Sequence, residues 1–119
     1  MIKIKRVYEP AAPDDGDRYL VERLWPRGIR KEKLKMTAWL KEVAPSPELR
    51  RWYAHDLAKW AEFQRRYRAQ LRAQSPAWQD LLRLTRRGTV TLLYSAHDTE
   101  HNSAIVLKIF LEKKLQSKK

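Results

Sequence analysis

Two short stretches of the chain hold polar groups in patterns that could bind or transform an anion. The first is Glu22-Arg23-Leu24-Trp25-Pro26-Arg27-Gly28, where two arginines bracket a tryptophan at a turn. A guanidinium holds phosphate or carboxylate through paired hydrogen bonds, and an indole offers a flat face to a base or sugar ring. The second is Tyr94-Ser95-Ala96-His97-Asp98-Thr99-Glu100-His101-Asn102. A helix starting there would aim free backbone N–H groups and the positive end of its dipole at a ligand. Asp98, His101 and Asn102 are the side chains able to reach it, and a neutral imidazole at His101 could move a proton. The plainer readings are a core position for Trp25 and helix capping for Asp98 and Thr99. His55 is a second candidate for proton transfer. Its neighbour Asp56 reads as an N-cap, because adjacent side chains rarely face each other.

Other chemistries lose their ingredients. The chain has no cysteine, which removes disulfides, thiol catalysis and thiolate metal sites. Its three glycines stand apart at 16, 28 and 88, so no glycine-rich nucleotide loop forms. His97 and His101 lie four apart and with His55 could in principle ligate zinc. His97 precedes the expected helix, however, and the expectation is no metal and no cofactor. No nucleophile stands out, so the residues leave open whether the site is enzymatic and by what reaction.

Positioning these groups falls to a short chain. At 119 residues, one domain over 1–119 is expected, and 43% hydrophobic content with five tryptophans supplies a core despite a mean hydropathy of −0.73. Ile2–Val7 alternates as a half-buried strand, and Arg18–Leu24 reads as a second that stops at Pro26. Trp39–Val43 is a short strand or turn. Ser46-Pro47 opens a helix to about Ala54, and Asp56 caps the next. On that helix Trp60, Phe63, Tyr67 and Leu71 form a core stripe. Ser75-Pro76 repeats the start signal, Trp78, Leu81, Leu82 and Thr85 continue it, and Gly88 closes it. Thr89–Tyr94 has the unbroken apolar pattern of a strand buried on both faces. Asp98 or Thr99 would cap a last helix through Ala104–Leu111, with a lysine-rich tail at 113–119 expected to fray. Trp60, Phe63, Tyr67, Val90, Leu92, Ile105 and Phe110 should share one core. This order points to an α/β three-layer sandwich with a largely parallel, Rossmann-like sheet and flanking helices; strand order is not legible. In such sheets ligands gather beyond the carboxyl ends of the strands, where both polar stretches would lie.

The charge is lopsided: 26 Lys and Arg against 14 Asp and Glu give +12 and a pI near 10.2. Residues 23–35 carry six basic side chains against Glu32, while Glu9, Asp14, Asp15 and Asp17 make the first loop acidic. Such a surface attracts polyanions. An anionic small molecule or phosphate group is therefore the leading partner. The alternative is weak, sequence-indifferent nucleic-acid binding on the arginine-rich 57–73 helix face (Arg65, Arg66, Arg68, Arg72). No apolar run approaches the ~20 residues of a membrane span, so no membrane partner is expected and a reducing cytoplasm is the simplest location.

Together these motifs resemble a known family. Arg6-Val7-Tyr8, Asp14-Asp15-Gly16, Leu24-Trp25-Pro26-Arg27-Gly28, Trp39-Leu40-Lys41 and Ala44-Pro45-Ser46 with Leu49-Arg50 belong to the pattern. So do His55-Asp56 and Leu92-Leu93-Tyr94 leading to Glu100-His101-Asn102. Over nearly its whole length the chain is similar to the YeaO-like proteins, a domain-of-unknown-function family. The resemblance implies a small, mostly bacterial, cytoplasmic α/β protein. Its polar motifs fall on Asp14, Asp15, Arg23, Trp25, Arg27, His55, Asp56, Glu100, His101 and Asn102, and it implies a basic residue in the place of His97. The candidate site is thus His101 and His55 for proton transfer, with Arg23, Trp25, Arg27, Asp98 and Asn102 for ligand binding.

Overall fold

Alternating and helical periodicities become four strands and four helices in the computed structural model, which describes residues 1–117 except the side chain of Ser75. In chain order they are β1 (Ile2–Arg6), β2 (Asp17–Leu20), β3 (Ala38–Trp39), α1 (Pro47–Tyr53), α2 (Trp60–Ala73), α3 (Ser75–Arg87), β4 (Val90–Tyr94) and α4 (Ser103–Ser117). The strands form one sheet in the order β1-β4-β2-β3, and every pairing is parallel. β4 is buried throughout, as its unbroken apolar run requires.

Alternation along the strands divides the interior. Ile2, Tyr19, Val21, Val90, Leu92 and Tyr94 join one core with residues of all four helices, among them Leu49, Phe63, Tyr67, Leu71, Trp78, Leu107 and Phe110. Trp60 packs against this core half-buried, whereas Ile105, expected inside, is half-buried outside the cluster. The opposite sheet face carries a smaller cluster, Val7, Leu20, Leu34 and Leu93. Trp25, Ile29, Met36 and Trp39 of the irregular 25–39 stretch cover it. One flanking layer is therefore helical and the other is mostly loop.

Local signals explain the boundaries. Ser46 caps α1 by accepting from Leu49 N at 3.1 Å, and Gln70 of α2 exchanges bonds with Ser46, tying the two helices. Asp56 caps the turn that leads into α2, accepting from Ala58 N. The expected serine cap of α3 falls on Ser75, whose side chain is outside the described residues; Gln74 occupies the N-cap position. Gly88 closes α3 as expected, in extended backbone (φ 174°). β2 ends at Leu20, shorter than its pattern suggested; beyond it Val21 N donates to Leu93 O and the Glu22 carboxylate accepts from Ser95 N and Oγ at the neighbouring strand end. α4 remains helical through Ser117, and Lys118 and Lys119 lie outside the described residues.

The acidic first loop hides a buried charge. Asp15 is 1% exposed, on the sheet face opposite the helices. Its carboxylate accepts from Ala12 N, from Lys5 Nζ on β1 and from Arg18 on β2. Arg18 also donates to Lys35 O, and Thr91 Oγ1 donates to Asp15 O, so the knot joins three strands and two loops. Gly16 makes this turn possible. Its φ is +65°, and a Cβ there would lie 2.1 Å from Thr89 O.

Candidate functional site

The carboxyl ends of β2 and β4 lie side by side in the parallel sheet. Beyond them opens a cavity of about 220 Å³. Glu22, Arg23 and Leu24 line it from the end of β2, Ser95 and Ala96 from the end of β4, and His101, Asn102 and Ser103 from the start of α4. The end of α1 adds Arg50, Arg51, Tyr53 and His55, and Phe63 of α2 contributes apolar wall. Arg23, His55 and the His101-Asn102 pair, far apart in sequence, therefore meet around one space.

Within it, His101 is held by its neighbours. Its Nδ1 lies 3.0 Å from Asp98 Oδ2, Asp98 Oδ1 accepts from the backbone N–H groups of Glu100 and His101, and Trp60 meets the imidazole edge-to-face at 5.2 Å. Those two backbone bonds and the imidazole hold the Asp98 carboxyl below the usual carboxylate range, the Glu100 N–H having the largest effect. Asn102, and not Asp98 or Thr99, is the N-cap of α4. Its Oδ1 accepts from Ile105 N and its Nδ2 donates to Asp98 O, so both ends of this amide are used inside the turn. Asp98 contacts His101 and does not itself line the cavity.

Two other candidates sit elsewhere. Trp25 turns its indole onto Trp39, edge-to-face at 5.4 Å, and donates its N–H to Ile29 O at 2.6 Å. It belongs to the small core under the loop, where burying an indole with its N–H satisfied outweighs leaving a face for a ligand. Arg27 is exposed, and its carbonyl accepts from the Tyr8 hydroxyl. Neither lines the cavity. His97 is exposed and also outside it, and among the described residues no three His, Asp or Glu side chains gather as a metal-ligand set.

The sequence reading missed Glu22, Arg50, Arg51, Tyr53 and Ser95. Tyr53 follows Leu49 by four residues and shares its core face, so spacing marks it as packing and nothing marks its hydroxyl. That hydroxyl is buried with no hydrogen-bond partner among the described residues, and so is Nε of Arg23. Burial, then the charges of Asp98 and Asp56, push the Tyr53 phenol above its ordinary value, keeping it a proton-bearing donor. Arg23 otherwise makes only a long 3.4 Å contact to Ala44 O. Glu22 is the one carboxylate lining the cavity, and Ser95 N and Oγ engage it at 2.9 and 2.7 Å. Three arginines, Arg23, Arg50 and Arg51, line the same space.

His55 reaches the rim through a strained turn. Ala54 and His55 have φ of 46° and 58°, left-handed conformations that cost side-chain-bearing residues energy. Ala54→Gly is expected to raise stability by about 1 kcal/mol in urea denaturation, and a loss of similar size would contradict the left-handed turn.

Comparison with known proteins locates the chain among others. The family model of DUF488-N3i, described as the inactive DUF488-N3 subclade, matches residues 1–119. The uncharacterized protein YeaO of Escherichia coli (strain K12) is 43% identical over 110 residues, covering 92% of this chain and 96% of that protein. An uncharacterized protein of Mycobacterium bovis is 43% identical over 106 residues, 89% of each chain, and one from Mycobacterium tuberculosis matches to the same extent. No solved structure matches significantly.

Proposed function

The chain belongs to the YeaO-like DUF488-N3i family, and from that premise we propose that it binds a small oxyanion, phosphate-like in charge and size, without transforming it. The observation that carries this reading is a pair of buried donors without a hydrogen-bond partner among the described residues, Tyr53 Oη and Arg23 Nε, on two side chains that line one cavity. A buried polar group without a partner costs about 1–3 kcal/mol, a cost that an anion accepting both hydrogen bonds would remove. The first turn of α4 adds a positive dipole end, and Arg50 and Arg51 add charge at the mouth. Size narrows the ligand. Pockets that enclose drug-sized ligands span roughly 300–1,000 Å³, so 220 Å³ suits a phosphate or small phosphorylated group better than a whole nucleotide.

Binding without turnover fits the lining. The Ser95 hydroxyl is committed to Glu22, and the word inactive in the family's description agrees with a site that holds and does not react. A second reading, proton transfer by His101, rests on the Asp98–His101 contact alone. The arginine-rich helix face offers less than its sequence promised, because Glu62 pairs with both Arg65 and Arg66.

Thermal shift with inorganic phosphate, against chloride at matched ionic strength, tests the proposal. Phosphate at 100 times its Kd should add about 2.7 kcal/mol of stability. Tyr53→Phe should be as stable as the parent or more so without phosphate and lose much of the phosphate response, since it removes a donor that lacks a partner. Equal responses to both salts, or an undiminished phosphate response in Tyr53→Phe and Arg23→Gln, would contradict it.

A further inference from the structure

On the sheet face away from the helices, a second concavity of about 690 Å³ runs between the end of β1 and the basic loop after β2. Tyr8, Arg30, Lys33 and Lys35 line it, with Ile29 in its wall. We propose that this groove binds single-stranded nucleic acid, independently of the oxyanion cavity. Three observations combine. The groove is within the size range of a pocket for one nucleotide. Arg30, Lys33 and Lys35 are exposed and have no carboxylate within ion-pairing distance among the described residues, unlike Arg65 and Arg66, whereas the fourth lining cation, Arg18, is buried and held by Asp15. The groove's own carboxylate, Glu9, is turned back to accept from Arg6 N at 2.9 Å.

Tyr8 supplies what a purely electrostatic patch lacks. It is 45% exposed, and its ring is fixed at both ends of the side chain: the hydroxyl donates to Arg27 O at 2.8 Å and the Arg6 guanidinium lies 4.8 Å from the ring centre. Arg6 covers one face, and the residue's exposure leaves the other to a base. Cations that track phosphates beside an aromatic platform are the recurrent means of holding unpaired strands, whereas a duplex keeps its bases stacked on each other.

Fluorescence anisotropy with a labelled dT12 oligonucleotide tests this. Three phosphate contacts should give a slope of log affinity against log salt of about −2. Tyr8→Ala should weaken binding at least about fivefold, with Tyr8→Phe near the parent. Lys33→Glu with Lys35→Glu, surface changes that leave the core intact, should weaken it and flatten the slope, while Arg23→Gln leaves it unchanged. The proposal is overturned by absence of binding at 50 mM salt, by Tyr8→Ala binding like the parent, or by equal affinity for a duplex of the same length. It is also overturned if Arg68→Glu with Arg72→Glu abolishes binding that the lysine reversals leave intact.

Discussion

Asp15→Ala is expected to cost about 3–5 kcal/mol, a large share of the stability of a domain this size, because it strands two cations that a buried carboxylate now holds. Lys5 and Arg18 both reach Asp15, and their side chains are only 20% and 8% exposed. Removing the anion leaves their charge in a site from which water is largely excluded. The same knot sets an acid limit. Burial alone would raise the Asp15 pKa, but the bonds from Ala12 N, Lys5 and Arg18 prevail and bring it from 3.8 to about 2. Because the folded value is the lower one, this contribution of about 2 kcal/mol is complete above pH 3.8 and is lost as pH falls toward 2. Urea denaturation between pH 2 and 6 reads both effects. An Asp15→Ala protein within about 1 kcal/mol of the parent at pH 6 would contradict the buried knot.

Phe63→Ala and Phe110→Ala are each expected to cost about 3–5 kcal/mol. Phe63 is 2% exposed and stacks on Tyr53 at 4.5 Å and on Trp60 at 5.6 Å. Phe110 is 5% exposed and meets Trp78 edge-to-face at 5.0 Å. Both truncations empty space between elements that strands β2 and β4 hold in place, so the surroundings have little room to collapse. Their consequences diverge at the cavity. Phe63 forms part of its wall and supports the Tyr53 ring, so its loss should also diminish the phosphate response, whereas Phe110 lies under α3 and should leave that response intact. A measured cost below about 1 kcal/mol at both positions would mean the helix faces are wrongly assigned.

What the sequence made legible was whatever depends on near neighbours. The stripe Phe63, Tyr67 and Leu71, the Ser46-Pro47 start and the apolar run of β4 each carry their signal within one or two turns, and each appears where periodicity put it. Strand order does not. β4 enters between β1 and β2 after some seventy intervening residues, a choice made by long-range packing that no local pattern encodes. The second flanking layer escaped for a related reason, since Trp25, Leu34 and Trp39 have no shared period yet cover a sheet face together. At the site, Arg23 and His101 were visible as reactive types near strand ends, which the parallel sheet brings to one edge, and His55 was visible as a reactive type in the turn after the first helix. The Tyr53 hydroxyl and the Glu22–Ser95 link were not, because one looks like core and the other joins residues 73 apart. The burial of Asp15 was not legible either. The sequence marks it only as one of four acids in an acidic loop, while its partners, Lys5 and Arg18, come from different strands.

Chemical-shift mapping tests most directly whether this one cavity accepts an oxyanion. Inorganic phosphate titrated into ¹⁵N-labelled protein, at ionic strength held constant with chloride, should move the amides of Glu22–Leu24, Ser95–Ala96 and His101–Ser103 along one saturable curve. Tyr53→Phe should shift that curve to higher phosphate. Shifts that rise without saturation, or that gather on the basic loop at residues 27–35 and leave the ends of β2 and β4 unmoved, would contradict it.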